Sequence, residues 1–121
     1  MTPEQLVLNT IINNIPAMVF YKNLDGVYIA ANEMFCKQLK TTPGDIIGKT
    51  DFDYFDAASA ERYRETDLEV IETGKSVEGF DEEIIIDGDT RIFTTRKVLL
   101  EDHDGKPYGI IGLSYDVTDS R

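Results

Sequence analysis

The dipeptide Asp-Gly occurs three times, at 25–26, 87–88 and 104–105, and each copy stands between two runs rich in strand formers. Asp and Gly tolerate the positive φ that tight hairpin turns demand, so such a dipeptide folds its flanking strands back on each other. The first separates Met18–Lys22 from Val27–Ala31, and the second separates Val77–Ile86 from Thr90–Leu100. The third lies in a longer polar loop, Glu101–Lys106, ahead of Pro107–Val117. Hairpins at both ends of the chain predict an antiparallel sheet with the intervening residues folded against it, an α+β arrangement.

The remaining segments read as helices. Thr2 is placed to N-cap a helix with Pro3 at its first position and Gln5 completing a capping box. Leu8, Ile11, Ile12 and Ile15 recur at helical spacing and form one apolar stripe before Pro16 ends the pattern. Asn32 is placed to cap a second helix with Phe35, Cys36 and Leu39 inside. Residues 57–73 form the longest helical pattern, with Ala60, Arg64, Leu68 and Ile71 on one face and Gly74 just beyond its end.

The chain has 121 residues, the size of one domain, with no internal repeat. Its 23 acidic and 12 basic residues give a net charge of −11, which argues against a phosphate-backbone binder and against docking on anionic lipid. The expectation is therefore no nucleic-acid partner and no membrane contact by this segment. One cysteine, Cys36, and one histidine, His103, exclude an internal disulfide, a Cys-cluster zinc site and a His-rich metal cage. No apolar run approaches the ~20 residues of a membrane span and no secretory signal opens the chain, so a cytoplasmic location is expected.

Four ordered pieces resemble the PAS sensor domain. They are Asp25-Gly26 before a strand ending in Ala31-Asn32 with Phe35 beyond; Ile47-Gly48-Lys49-Thr50-Asp51-Phe52-Asp53; Asp87-Gly88 followed by Thr95-Arg96-Lys97, Leu100, Asp102 and Gly105; and Gly109-Ile110-Ile111-Gly112 running into Asp116-Val117-Thr118-Asp119. The resemblance implies a five-stranded antiparallel sheet with helices over one face enclosing a small-ligand pocket. It divides the chain into an N-terminal flanking amphipathic helix (1–15), a PAS domain (16–118) and the start of a linker to an output domain (119–121). Light-sensing relatives hold flavin with a Gly-Arg-Asn-Cys motif and a glutamine in the last strand. Here Gly48-Lys49-Thr50-Asp51 and Ser114 stand in those places, which argues against flavin. Haem-binding relatives use a histidine on the long helix, and residues 57–73 contain none. No cofactor and no metal are expected; the ligand that the resemblance implies is an unidentified small metabolite.

Strand alternation sorts the last three strands into two faces, and the resemblance says which is inward. Ser114, Glu83, Phe93, Thr95 and Lys97 should face the pocket. Ile84, Ile86, Ile92, Val98, Leu100, Ile111 and Leu113 should face outward and need a cover. The stripe of Leu8, Ile11, Ile12 and Ile15, from the same chain or a second copy, is the natural cover and predicts a homodimer. Glu83, Thr95 and Lys97 fit either a solvated face with cross-strand pairs or a polar pocket wall. If buried, Lys97 needs Glu83, Asp81 or an anionic ligand beside it. Arg64 is either a surface ion-pair partner of Glu61 or Glu65 or a clamp for a ligand carboxylate. Lys22 is either a snorkelling surface lysine or a cation at the pocket mouth. Asp51 and Asp53 read as helix-capping groups around Thr50–Phe55, with Tyr54 and Phe55 in the core. Asp116 and Thr118 would relay a signal toward the output domain.

Together these readings predict a non-enzymatic sensory module of a bacterial signalling protein such as a sensor histidine kinase or a cyclic-dinucleotide enzyme. The alternative is a ligand-free dimerisation module with a filled core. An enzyme is disfavoured because no nucleophile has a base beside it.

Overall fold

The computed structural model describes residues 2–86 and 88–120. Helix α1 (Pro3–Asn14) leads into the hairpin β1 (Met18–Asn23) and β2 (Tyr28–Ala31). Helix α2 (Glu33–Gln38), a 3-10 turn at Asp51–Asp53 and helix α3 (Ala57–Thr73) follow. Strands β3 (Val77–Ile86), β4 (Asp89–Glu101) and β5 (Pro107–Asp116) complete the sheet, and a 3-10 turn at Thr118–Ser120 follows it. All pairings are antiparallel in the order β2-β1-β5-β4-β3, so the two ends of the fold meet at the central β1–β5 pair. This is the expected α+β architecture, a five-stranded antiparallel sheet with helices.

Local chemistry sets the helix starts. Thr2 and Gln5 exchange the two capping-box hydrogen bonds, Gln5 N to Thr2 Oγ1 at 3.1 Å and Thr2 N to Gln5 Oε1 at 2.8 Å. Asn32 caps α2 by accepting from Phe35 N at 3.1 Å. Its buried amide does more than cap: Oδ1 also accepts from Val19 N, and Nδ2 donates to the carbonyls of Ala17 and Ile12. One side chain thus ties the end of α1, strand β1 and α2 together.

The face that α3 buries differs from expectation. Ala60, Asp67 and Val70 are buried, whereas Leu68 is 38% exposed and Arg64 and Ile71 are only half-buried. Ala60 is common to both faces, and beyond it the buried positions Asp67 and Val70 precede the expected Leu68 and Ile71 by one residue, about 100° around the helix. An apolar count cannot find a stripe whose centre is an aspartate.

The core lies between the helices and the inner sheet face. Met18, Phe20, Tyr28, Ala31, Phe35, Cys36, Ile46 and Phe93 form one buried cluster, with Tyr54 and Leu39 against it. Phe20 pairs with Gly112 across β1 and β5, and a Cβ on Gly112 would lie 2.0 Å from Phe20 Cζ. The missing side chain lets the Phe20 ring lie on the sheet.

The other sheet face carries Ile92, Val98, Leu100, Ile111 and Leu113, all half-buried, and α1 buries none of its residues. Leu8 and Ile11 are exposed and Ile12 and Ile15 are half-buried, so within one chain the stripe covers little. The outward assignment of Ile84 and Ile86 and the placements of Asp87 and Arg121 lie outside the described residues. Among the described residues, no helix is long and apolar enough to cross a membrane.

Candidate ligand cavity

Alternate residues of four strands point under the helices. Met18, Phe20 and Lys22 come from β1, Tyr28 from β2, Thr95 and Lys97 from β4, and Ser114 from β5. They form the floor of a cavity of about 870 Å³, within the range of small-molecule sites. Phe35 and Leu39 of α2 close one side, and Phe55, Ser59, Tyr63 and Thr66 close the other. The exposed side chains of Lys40, Arg62 and Glu83 stand at the rim.

Aromatic rings pack its apolar part. Phe20 and Phe35 have centroids 5.0 Å apart, and Tyr28 meets Phe20, Phe35 and Tyr54 at 5.9, 5.7 and 6.3 Å. Phe55 meets Tyr63 edge-on at 5.0 Å. Such edge and tilted contacts suit the ring quadrupole.

The polar part is a buried ion cluster. Lys22 Nζ lies 2.8 Å from Asp51 Oδ2 and 2.5 Å from Asp67 Oδ2, with the side chains no more than 8% exposed. Lys97 Nζ lies 3.0 Å from Asp67 Oδ1 and 3.4 Å from the Tyr63 carbonyl. The Tyr28 hydroxyl donates to Asp51 Oδ1. The backbone fixes this arrangement: Tyr28 N donates to Lys49 O and Gly48 N to Tyr28 O, pinning the 46–50 segment to β2 and delivering Asp51 beneath the phenol. The Lys22 ammonium also sits 5.1 Å from the Phe20 centroid and 5.6 Å from that of Tyr28, a cation–π placement that helps hold a desolvated charge.

Burial pushes the Lys97 ammonium below its ordinary pKa, opposed by the neighbouring Asp67. Burial raises the Tyr28 phenol, and Asp51 beside it raises it further. Both shifts have the sign that desolvation dictates. Thr95 and Ser114 complete the floor with a hydroxyl pair at 2.9 Å.

The sequence-predicted residues divide. Lys22, Thr95, Lys97 and Ser114 converge on the floor, and Glu83 reaches the rim. Phe93 faces inward as expected but belongs to the apolar cluster, not the cavity wall. Arg64 stays outside: its Nη2 donates to Leu24 O at 2.9 Å and its guanidinium packs on Gly26, bracing the β1–β2 turn. The clamp reading fails because α3 turns Arg64 away, and Arg62 supplies the cavity's guanidinium. Lys22 is neither a surface lysine nor at the mouth, being 1% exposed. Asp53 does the capping, accepting from Thr50 N at 2.9 Å, while Asp51 is a member of the ion cluster. Lys97 meets neither Asp81 nor Glu83 but Asp67, which sequence reasoning missed. The available signal was its spacing: Asp67 lies seven residues after Ala60 and three before Val70, on one helix face.

At the end of β5, Asp116 Oδ1 accepts from Thr118 N and Oγ1 at 3.0 and 2.6 Å. Arg91 meets Asp116 Oδ2 through Nε at 2.9 Å and Nη2 at 2.8 Å. Thr118 Oγ1 accepts from Ile92 N. The Thr118 hydrogen bonds first, then Arg91, hold the Asp116 carboxyl down to about 2. The chain leaving the sheet is thereby clasped to β4.

Comparison with known proteins adds the following. A family model for the PAS fold matches residues 12–121. A diguanylate cyclase of Vibrio cholerae is 33% identical over 111 residues, which are 90% of this chain and 35% of that protein. The uncharacterized protein y4lL of Sinorhizobium fredii is 30% identical over 113 residues, 92% of this chain and 14% of that one. A VqmA–ligand–DNA complex of Vibrio cholerae superposes with a TM-score of 0.81 at 31% identity, covering 98% of this chain and 52% of that one. VqmA bound to DPO superposes at 0.80 with 29% identity, covering 95% and 57%. The chain thus spans between a seventh and a third of these curated relatives and about half of each VqmA chain. The exclusion of nucleic acid drawn from net charge is corrected by the DNA complex. The charge of a segment matching half of such a receptor does not speak for the other half.

Proposed function

Because the chain belongs to the PAS-fold family, we propose that it is a sensory module whose cavity takes up a small organic molecule. Occupancy would bias the packing of α3 on the sheet and pass along β5 to the Asp116–Thr118 clasp and an output region beyond it. The observation that carries this reading is the cavity itself: about 870 Å³ left open beside buried polar groups, where a filled core would serve a pure dimerisation module. The VqmA complexes with ligand and with DPO support it by similarity. DNA binding, as in that receptor, and cyclic-dinucleotide synthesis, as in the diguanylate cyclase, are the output classes the relatives suggest. The exposed Leu8 and Ile11 with Ile12 and Ile15 are proposed as the self-association face, for which sedimentation with and without residues 1–15 is the measure.

A ligand can shift such an equilibrium only by binding the two packings unequally. The test is mass spectrometry of small molecules released from gently purified protein, beside thermal unfolding with added metabolite sets. A stoichiometric compound, or a raised Tm that Ser114→Phe abolishes, is the expected result. A protein that stays empty and insensitive throughout contradicts the ligand reading.

A further inference from the structure

The ion cluster restricts which molecules the cavity accepts. Two ammonium groups, Lys22 and Lys97, face two carboxylates, Asp51 and Asp67, and all four side chains are buried. Their formal charges cancel. Asp67 occupies the place beside Lys97 that an anionic ligand would need. A carboxylate or phosphate entering the floor would leave the buried set one charge in excess, and a buried unpaired charge is far more costly than a balanced one. An entering ammonium would fail for the same reason with opposite sign.

An uncharged molecule escapes this. Lys97 Nζ has three donors and meets Asp67 at 3.0 Å, with the Tyr63 carbonyl only at 3.4 Å. The Thr95–Ser114 pair uses one hydroxyl proton between its two oxygens, so the other hydroxyl proton is available. Lys97 and the hydroxyl pair therefore each keep a donor to offer on this part of the floor. Lys40 and Arg62 at the rim are exposed, where water screens them, and they do not replace a floor counter-ion.

Resting on the cavity reading above, we propose that the ligand is a small uncharged molecule presenting a carbonyl-type acceptor to Lys97 and the Thr95–Ser114 hydroxyls, and that the Lys22–Asp51–Asp67–Lys97 cluster excludes its ionised analogues.

The probes are matched triplets on common aromatic cores, such as benzamide, benzoate and benzylamine. Their binding to the unmodified protein is followed by ligand-observed and amide-shift NMR. The carboxamides should bind about tenfold or more tightly than either charged partner. Asp67→Asn gives the cluster one excess positive charge and should reverse the order between carboxamide and carboxylate. Asp51→Asn provides the same unbalancing if the first variant does not fold, and the comparison on unmodified protein stands without either. Carboxylates equal to or better than carboxamides in the unmodified protein overturn the charge rule while leaving the cavity reading intact. So does carboxylate binding that is lost in Arg62→Gln, which would place an anion at the rim. Binding by no member of any triplet contradicts the cavity reading itself.

Discussion

Two ionic assemblies in this molecule use the same chemistry at different depths. Lys22, Asp51, Asp67 and Lys97 are buried and join β1, the Asp51–Asp53 turn, α3 and β4. Arg91, Asp116 and Thr118 sit at the sheet's end, with the Arg91 and Asp116 side chains about a third exposed. Depth decides what each can do. In the buried set a lost partner leaves a desolvated charge uncompensated, so it is fixed in composition and suited to selecting a ligand. The outer clasp can exchange each contact for water at little cost, which suits a joint that must open and close.

The comparison breaks most visibly at Asp67. Asp67→Ala removes the carboxylate shared by both lysines and should destabilise the fold by about 3–5 kcal/mol in chemical denaturation. A loss under 1 kcal/mol would mean that the cluster is solvated like the clasp. A smaller effect is expected at Gly112, where Gly112→Ala sets a methyl against the Phe20 ring. The expected cost is about 1–3 kcal/mol, together with weaker uptake of cavity probes as the ring is pushed inward. Unchanged probe binding would show that the ring moves elsewhere.

The clasp should give the smallest change in stability and the clearest change in titration. Its depressed Asp116 pKa means that the stabilisation is complete above the ordinary value of 3.8 and is lost as pH falls through about 2. Removing the first cause by Thr118→Val should raise the Asp116 titration toward 3.8, read from its carboxyl carbon shift, with little change in Tm. Amide exchange at Val117 should quicken, since its N–H donates to Ile92 O within the same joint. An Asp116 titration that stays near 2 in this variant would assign the shift to the backbone N–H of residue 118 and to Arg91.

Much of this was legible in sequence because it is local. The Asp25-Gly26 and Asp104-Gly105 turns, the Thr2–Gln5 box and the Asn32 cap each depend on neighbours within a few residues. The period of two puts Phe93, Thr95 and Lys97 on one face, and the PAS resemblance marks that face as inward. The ion cluster was not legible, because its partners lie far apart in sequence. Lys22 meets Asp51 and Asp67 from two other elements, and only the closed fold shows that Lys97 shares the latter. The expectation that Arg64 clamps a ligand fails for a related reason. The apolar pattern of α3 passes over Asp67, so beyond Ala60 it runs one residue out of phase with the buried stripe. Charge was read too widely as well: −11 describes these 121 residues, and the DNA-bound VqmA relative shows how little that limits a longer chain.

The most direct test is an amide chemical-shift map on adding a saturating carboxamide probe such as benzamide. The predicted response is centred on Lys22, Thr95, Lys97 and Ser114, on the inner face of β1, β4 and β5, and extends to Val117 and Thr118. A response confined to the rim at Lys40 and Arg62, or to the outer sheet face around Ile111 and Leu113, would contradict a sensing cavity on this floor.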